Sequence, residues 1–247
     1  MEAIILAAGL GSRLRPLTNN KPKALVEVDG HTLLEINVKK LIKEGAKRIV
    51  VNVHHFGELV MQYIASREWE AEIVVSDERD MLLDTGAGVK RALDLLSGKE
   101  TIVVHNVDIL SKISVKELIS KHISTVAGAT LAVSRRDTKR QLLFARDGQL
   151  CGWRNCETGE TLYATDRPNS RAAEQLFCCE FAFSGIWVVE PQLLRQMPPA
   201  DHPYPIVPEL LKQAVSYKIN RYEHRPEDWL DVGTPERLKK ASLFMSR

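Results

Sequence analysis

Through the first half of the chain, short apolar runs alternate with helical stripes, and that alternation leaves few architectures open. Ala3–Ala8 is an unbroken apolar run ending at Gly9, the pattern of a strand buried on both faces. Thr32-Leu33-Leu34-Glu35 has the form of a capping box, and Leu34, Val38, Leu41 and Ile42 then fall at i, i+4, i+7 and i+8, one stripe of a helix. Arg48–Val53 reads as the next strand, and Phe56, Val60, Tyr63 and Ile64 repeat the helical stripe. Glu72–Val75 is strand-like and Val89–Leu96 is the core of a helix. Thr101–Val104 is again an apolar strand, running into His105-Asn106-Val107-Asp108. Ser114-Val115-Lys116-Glu117 opens a further helix with a second capping box. Strands and helices that alternate with short connections imply a mostly parallel sheet covered by helices.

Beyond residue 128 the rhythm changes. Ala129–Arg135, Gln141–Ala145 and Gln149–Trp153 are strand-like, with Asp147-Gly148 as a hairpin turn signal. Asn155–Gln175 is polar and poor in β-branched residues and reads as a long loop, whereas Phe177–Val189 reads as a strand bent or bulged near Gly185. Helices follow at about Pro191–Met197 and Pro208–Ala214, then a strand at Tyr217–Tyr222. Thr234-Pro235-Glu236 opens the last helix, with Thr as N-cap and Pro at the first position. The expected fold is one α/β domain over residues 1–247, a Rossmann-like, mostly parallel (mixed) sheet flanked by helices, with a β-rich insert in its second half. Residues 1–128 and 129–247 are its two halves.

The 247 residues carry 34 Lys and Arg against 32 Asp and Glu, a formal net charge of +2. Such a balance argues against a nucleic-acid partner. No apolar run reaches the roughly 18 residues of a membrane helix. The N-terminus carries Glu2 rather than a basic stretch, so neither a membrane partner nor a signal peptide is expected. Cys151, Cys156, Cys178 and Cys179 fit neither a disulfide scaffold nor a zinc spacing, and read as reduced packing residues of a cytoplasmic protein.

The overall balance hides a local excess. Directly after the first strand comes Gly9-Leu10-Gly11-Ser12-Arg13-Leu14-Arg15-Pro16-Leu17-Thr18, then Lys21-Pro22-Lys23. From Ala3 to Val26 the basic residues are Arg13, Arg15, Lys21 and Lys23, with no acid among them. A glycine turn at that place lets backbone N–H groups approach phosphate oxygens, and the uncompensated cations suit a triphosphate or a pyrophosphate leaving group. A tight turn with solvated basic residues is the competing account of the same stretch. Two other phosphate loops do not fit. A dinucleotide fingerprint needs a third glycine where Leu14 stands, and a nucleoside-triphosphatase loop needs Gly-Lys-Ser/Thr after four intervening residues. Asp29-Gly30 reads as a turn rather than a ribose ligand.

Leu6-Ala7-Ala8-Gly9, with Gly11, Arg13, Pro16, Thr18, Pro22 and Lys23, resembles the signature of sugar-1-phosphate nucleotidyltransferases. The resemblance covers nearly the whole chain. Leu83-Asp84-Thr85-Gly86-Ala87-Gly88 is similar to the family's base-binding segment, and Asn106-Val107-Asp108 to its Asn-Gly-Asp metal motif. Phe183-Ser184-Gly185-Ile186 resembles its sugar-side strand, and Trp229-Leu230-Asp231-Val232-Gly233-Thr234 its second metal motif. Within the family, N-acetylmuramate-1-phosphate uridylyltransferases are most like this chain, and mannose- and heptose-1-phosphate guanylyltransferases come next.

The resemblance implies a reaction in which a sugar 1-phosphate oxygen attacks the α-phosphorus of an NTP and pyrophosphate leaves. Such a step is catalysed mainly by positioning and charge neutralisation. The resemblance assigns Leu6, Ala7, Ala8, Gly9, Gly11, Ser12, Arg13, Thr85, Gly86 and Asn106 to the nucleotide, and Lys23, Glu180, Ser184 and Gly185 to the sugar phosphate. Arg13 would hold the β- and γ-phosphates, Lys23 would neutralise the α-phosphate and the incoming phosphate, and Asp108 completes the catalytic set. Asp108 and Asp231 would hold Mg²⁺, a hard cation suited to one or two carboxylates plus phosphate oxygens. Each follows an apolar strand-like stretch, so both could reach the carboxyl edge of one sheet. Read alone, Asp108 is equally a capping or loop carboxylate, and Asp231 an N-terminal helix charge.

The implied substrates are UTP and N-acetylmuramate 1-phosphate. GTP with mannose or heptose 1-phosphate is the alternative, and CTP with phosphocholine a third pair. A non-catalytic nucleotide-sensing domain on the same fold is the reading from another class, and homo-oligomerisation is left open. Val107 stands where the family's metal motif has glycine, and Ala87 replaces a glycine of the base segment. If that first glycine provides positive φ, valine would alter the ribose or metal contact. On the acceptor side, Arg154, Arg167 and Arg171 are candidates to read an acidic group such as the lactyl carboxylate of N-acetylmuramate, because arginine pairs carboxylates bidentately. Trp153, Trp187 and Trp229 read as packing residues.

Overall fold

The computed structural model describes residues 1–164 and 177–246. Along the first half come β1 (Glu2–Leu6), a small hairpin of β2 (Glu27–Val28) and β3 (His31–Thr32), α1 (Leu33–Lys43), β4 (Arg48–Val53), α2 (Gly57–Ala65), β5 (Glu72–Asp77), α3 (Asp84–Leu93), β6 (Ile102–Asn106), β7 (Ile109–Ser111) and α4 (Val115–Ser124). The second half adds β8 (Ala129–Ser134), β9 (Arg140–Ala145), β10 (Leu150–Asn155), β11 (Thr161–Tyr163), β12 (Phe177–Val189), α5 (Pro191–Arg195), α6 (Ile206–Gln213), β13 (Ile219–Glu223), β14 (Trp229–Asp231), α7 (Pro235–Leu238) and α8 (Ala241–Ser246). Both capping boxes form at their helix starts. Thr32 Oγ1 accepts from Glu35 N–H at 3.1 Å, and Ser114 Oγ from Glu117 N–H at 3.2 Å.

In the main sheet β1 lies between β6 and β4, with β5 outside β4, all parallel. β12 runs antiparallel between β6 and β8, and β13 is parallel to β8 at the edge. The expected mixed, mostly parallel sheet is therefore present. Alternation along each strand sends Ala3, Ile5, Ile49 and Val51 into one core and Ile4, Val50, Ile102 and Val104 into the other. Helices cover both faces, which is why these strands read as continuous apolar runs.

β12 serves two sheets. Its first residues pair with β9, and β10 and β11 extend that antiparallel insert. Its later residues enter the main sheet, and the register slips between Phe183 and Trp187 around Gly185, whose φ is +69°. That is the bend expected there.

The structure departs from the sequence expectations in three places, and a fourth segment is not described. α3 starts at Asp84, five residues ahead of the expected core. β11 forms inside the expected loop, pairing with β10. Residues 165–176, which include Arg167 and Arg171, lie outside the described residues. The last helix is two short ones, α7 and α8. Among the described residues no helix is long and apolar enough to cross a membrane.

Candidate active site

The glycine loop is pinned at its entry by a side chain from the neighbouring strand. Ala7 N–H donates to Asn52 Oδ1 at 2.6 Å, and Asn52 Nδ2 donates to Glu78 Oε1 at 2.9 Å. Asn52 and Glu78 are buried, and burial holds the Glu78 carboxyl above the usual carboxylate range. Gly11 has φ +64°, and a Cβ there would lie 3.0 Å from Thr18 Cγ2 and 3.1 Å from Lys23 Cβ. Thr18 Oγ1 closes the turn on the Gly11 carbonyl at 2.8 Å, a geometry only glycine accepts without strain. The turn at Ser12–Leu14 buries Leu14 and leaves Ser12 and Arg13 exposed.

Two carboxylates meet through a device the sequence did not advertise. β14 pairs antiparallel with β7, setting Asp231 opposite Ile109, and Val232 N–H donates to the Asp108 carbonyl at 2.9 Å. This two-stranded ribbon starts just past the carboxyl end of β6 and brings Asp231 there, beside Asp108. Asp108 and Asp231 line one cavity of about 320 Å³ with Arg13, Asn106, Arg136 and Arg237. Lys23 Nζ is ion-paired with Asp108 Oδ2. Asp231 accepts from Gly233 N–H at 2.7 Å and from Arg237 at 2.8 Å.

Two hard oxygen donors facing one cavity fit Mg²⁺. Among the described residues no three His, Cys, Asp or Glu side chains cluster into a protein-only cage. The remaining ligands would be substrate oxygens and water, the way Mg²⁺ is usually held.

Arg136, just past β8, is a site residue that sequence reasoning missed. Its guanidinium lies 3.8 Å over the Trp229 ring and donates to Ser134 Oγ at 2.6 Å, Ser184 Oγ at 3.0 Å and the Phe183 carbonyl at 2.5 Å. Burial lowers its pKa to about 10 against the raising pull of Asp231, so it remains a cation at neutral pH. The signal available was Arg135-Arg136 at the end of an apolar strand.

Ser184 is 1% exposed, with its hydroxyl held between Arg136 and His224 Nε2 at 2.7 Å. It fixes Arg136, and Ser184 lines the cavity of the paired aspartates. Gly185 clears space for Asn106, since a Cβ there would meet Asn106 Nδ2 at 2.7 Å. Val107 has no positive φ and its side chain is buried in the core, so the valine brings no backbone strain.

A cavity of about 620 Å³ opens at the glycine loop, lined by Ala8, Gly9, Lys23, Thr85 and Asp108 among others. A third, of about 560 Å³, lies toward the β-rich insert, against Trp153, Leu142 and Phe183. Asn106 lines all three cavities, and Leu6, Asp84 and Thr85 line the two larger ones. Thr85 Oγ1 accepts from Ile206 N–H at 3.0 Å, capping α6, and Gly86 N–H donates to the Tyr204 carbonyl at 2.9 Å. Thr85, held by these contacts, lines both larger cavities.

Glu180 does not reach this space. It is paired across the sheet with Leu143, whereas Phe181 is paired with Leu142, which lines the cavity. Successive side chains alternate faces, so Glu180 points away, onto Arg154 at 2.5 Å. Arg154 is turned to that far face too, and Trp153 faces the cavity as more than a packing residue.

The family model for nucleotidyl transferases matches residues 2–247. The chain belongs to the nucleotidyl transferase family. An N-acetylmuramate alpha-1-phosphate uridylyltransferase of Caulobacter vibrioides is 32% identical to it over 241 residues, covering 95% of this chain and 92% of that protein. The mannose-1-phosphate guanylyltransferase catalytic subunit beta of Dictyostelium discoideum is 27% identical over 96% of this chain and 62% of its own length. Among solved structures, HddC from Yersinia pseudotuberculosis, complexed with GMP-PN, has the same fold, with a TM-score of 0.75 at 17% identity over 99% of both chains. The expected class, a sugar-1-phosphate nucleotidyltransferase on a mixed α/β sheet, is borne out.

Proposed function

We propose that this nucleotidyl transferase moves the uridylyl group of UTP onto N-acetylmuramate 1-phosphate, giving UDP-N-acetylmuramate and pyrophosphate. The observation that carries the reading is the meeting of three cavities at Asn106, one at the glycine loop, one at the paired aspartates and one at the β-rich insert. The choice of base and sugar is supported by the Caulobacter vibrioides relative.

An oxygen of the acceptor phosphate attacks the α-phosphorus. The new P–O bond forms as the bond to the α,β-bridging oxygen breaks, and pyrophosphate leaves with the electron pair. Arg13 holds the β- and γ-phosphates. Lys23 gives up Asp108 for the α-phosphate, which frees the Asp108 carboxylate. Arg136 adds a fixed cation beside the acceptor phosphate. Asp108 and Asp231 would hold Mg²⁺, which would supply charge neutralisation on the phosphate oxygens when bound. Thr85 and the glycine loop orient the nucleotide, and the insert takes the sugar.

Pyrophosphate release across UTP, GTP and CTP, each with N-acetylmuramate, mannose and heptose 1-phosphates, tests this. The highest kcat/KM is expected for UTP with N-acetylmuramate 1-phosphate. A higher value for GTP with mannose or heptose 1-phosphate replaces the reading with guanylyl transfer. No release with any pair supports a nucleotide-sensing role.

A further inference from the structure

We propose that, within the nucleotidyl-transfer reading above, Arg140 binds a carboxylate carried by the acceptor sugar and so sets a preference for an acidic sugar 1-phosphate over its neutral counterpart. β9 begins at Arg140, and alternation places Arg140 on the same face as Leu142. Leu142 is paired with Trp153 and Trp153 with Leu162, and all of them line the cavity of about 560 Å³ together with Arg140.

That cavity is otherwise apolar where it leaves the nucleotide. Setting aside Asp84, Thr85 and Asn106, which it shares with the nucleotide cavity, Arg140 is its only charged lining residue among those described. A neutral sugar is read by groups that trade hydrogen bonds with hydroxyls, and this wall offers mainly Thr138 for that. A carboxylate against apolar walls, by contrast, needs a cation, and the planar guanidinium matches it bidentately.

Arg140 is also available. Lys139 is ion-paired with Glu157 at 2.7 Å, Arg135 with Glu223 at 3.4 Å and Arg154 with Glu180 at 2.5 Å. Among the described residues the Arg140 guanidinium has no hydrogen-bond or ion-pair partner. The phosphate is not its target, because Arg140 does not line the cavity of Arg13, Asp108 and Asp231. Thr138 lines both spaces. One acceptor running past Thr138 can therefore keep its phosphate among the aspartates and its carboxylate at Arg140.

The test compares N-acetylmuramate 1-phosphate with N-acetylglucosamine 1-phosphate, which lacks only the lactyl group, in the wild type, Arg140→Ala and Arg140→Lys. Steady-state kinetics with UTP is paired with calorimetric binding of each acceptor. The wild type is expected to prefer the acid. Arg140→Ala should raise KM and Kd for the acid about 10–100-fold, the range for one lost charge-assisted hydrogen bond, with kcat nearly unchanged. The neutral acceptor should be unaffected, and Arg140→Lys should recover part of the preference.

An equal loss on both acceptors, or a preference that survives in Arg140→Ala, overturns the assignment. A wild type that favours the neutral acceptor also overturns it, while leaving nucleotidyl transfer standing. A wild type that turns over neither acceptor fails the transfer reading instead, and the binding data then still decide on Arg140.

Discussion

Replacing Gly86 by alanine sets two effects of opposite sign against each other. In a helix interior alanine is favoured over glycine by about 0.8–1 kcal/mol, and α3 is helical through this residue. Space points the other way. A Cβ at Gly86 would lie 2.5 Å from Tyr204 Cδ2, 2.7 Å from Cε2 and 2.8 Å from the Tyr204 carbonyl oxygen. None of these atoms is free to yield. The carbonyl accepts from Gly86 N–H at 2.9 Å, and the buried ring is tethered by its hydroxyl to the Pro198 carbonyl at 2.8 Å. The helix and the Tyr204 segment must therefore part. Overpacking of this kind costs about 1–3 kcal/mol, and weakening the Gly86–Tyr204 hydrogen bond adds about 1 kcal/mol, which cancels the propensity gain. A net loss of about 1–3 kcal/mol corresponds to a fall in Tm of roughly 2–12 °C for a chain of this length. Thr85, next in the chain, lines both larger cavities, so KM should rise for both substrates. Calorimetry and steady-state kinetics on Gly86→Ala check both. A Tm that is unchanged or raised, with unchanged KM, would show that propensity prevails and that the Tyr204 contact does not shape the cleft.

Asp108→Asn removes the charge that faces Lys23 and lines the cavity with Asp231, so turnover should fall by at least about 100-fold while circular dichroism is unchanged. Unchanged turnover takes Asp108 out of the metal set. Arg136→Met leaves Ser134, Ser184 and the Phe183 carbonyl without their donor, which should cost about 2 kcal/mol, or roughly 4–8 °C of Tm, along with kcat/KM. A Tm within one degree of wild type, on the order of the assay error, removes its role as a buried anchor. His105 is fully buried, which lowers its pKa from 6.5 to about 4. The unfolded chain takes this proton first, so the contribution of His105 to stability is full above about pH 6.5 and is lost as pH falls toward 4. His224 is lowered by burial in the same direction, whereas Glu78, raised by burial, slopes the opposite way. Unfolding free energies from urea titrations at pH 7 and pH 5 should therefore differ by about 2 kcal/mol less in His105→Leu than in the wild type, and an equal difference refutes the assignment.

What the sequence made legible is what acts within one turn or one strand. The Thr32 and Ser114 caps close on amides three residues away, and β1, β4 and β6 read as apolar runs because both their faces are covered. The stripe that marks α3 in the sequence begins only at Val89, because glycine counts against a helix in isolation. Here tertiary contact overrides that, since a Cβ at Gly86 would lie 2.5 Å from Tyr204 Cδ2 and one at Gly88 2.9 Å from Asn52 Nδ2. The β7–β14 ribbon was invisible, since two three-residue strands so far apart in the chain carry no periodicity. Yet that ribbon brings Asp231 to Asp108. Val107 looked costly on the premise that its position needs positive φ. Its φ is ordinary and its carbonyl accepts from Asn37 Nδ2 at 2.9 Å, so the premise does not hold in this chain.

On the acceptor side the difference is one of phase. Lys139 and Arg140, like Trp153 and Arg154, are neighbours that differ by one step of a two-residue period. No composition rule tells which of each pair faces the substrate. The register of Leu142 on Trp153 and of Leu142 on Phe181 decides it, turning Arg140 inward and Glu180 and Arg154 outward. A slip of one residue would exchange them all at once, so the chemistry of this cavity depends on strand pairing as much as on the charges themselves.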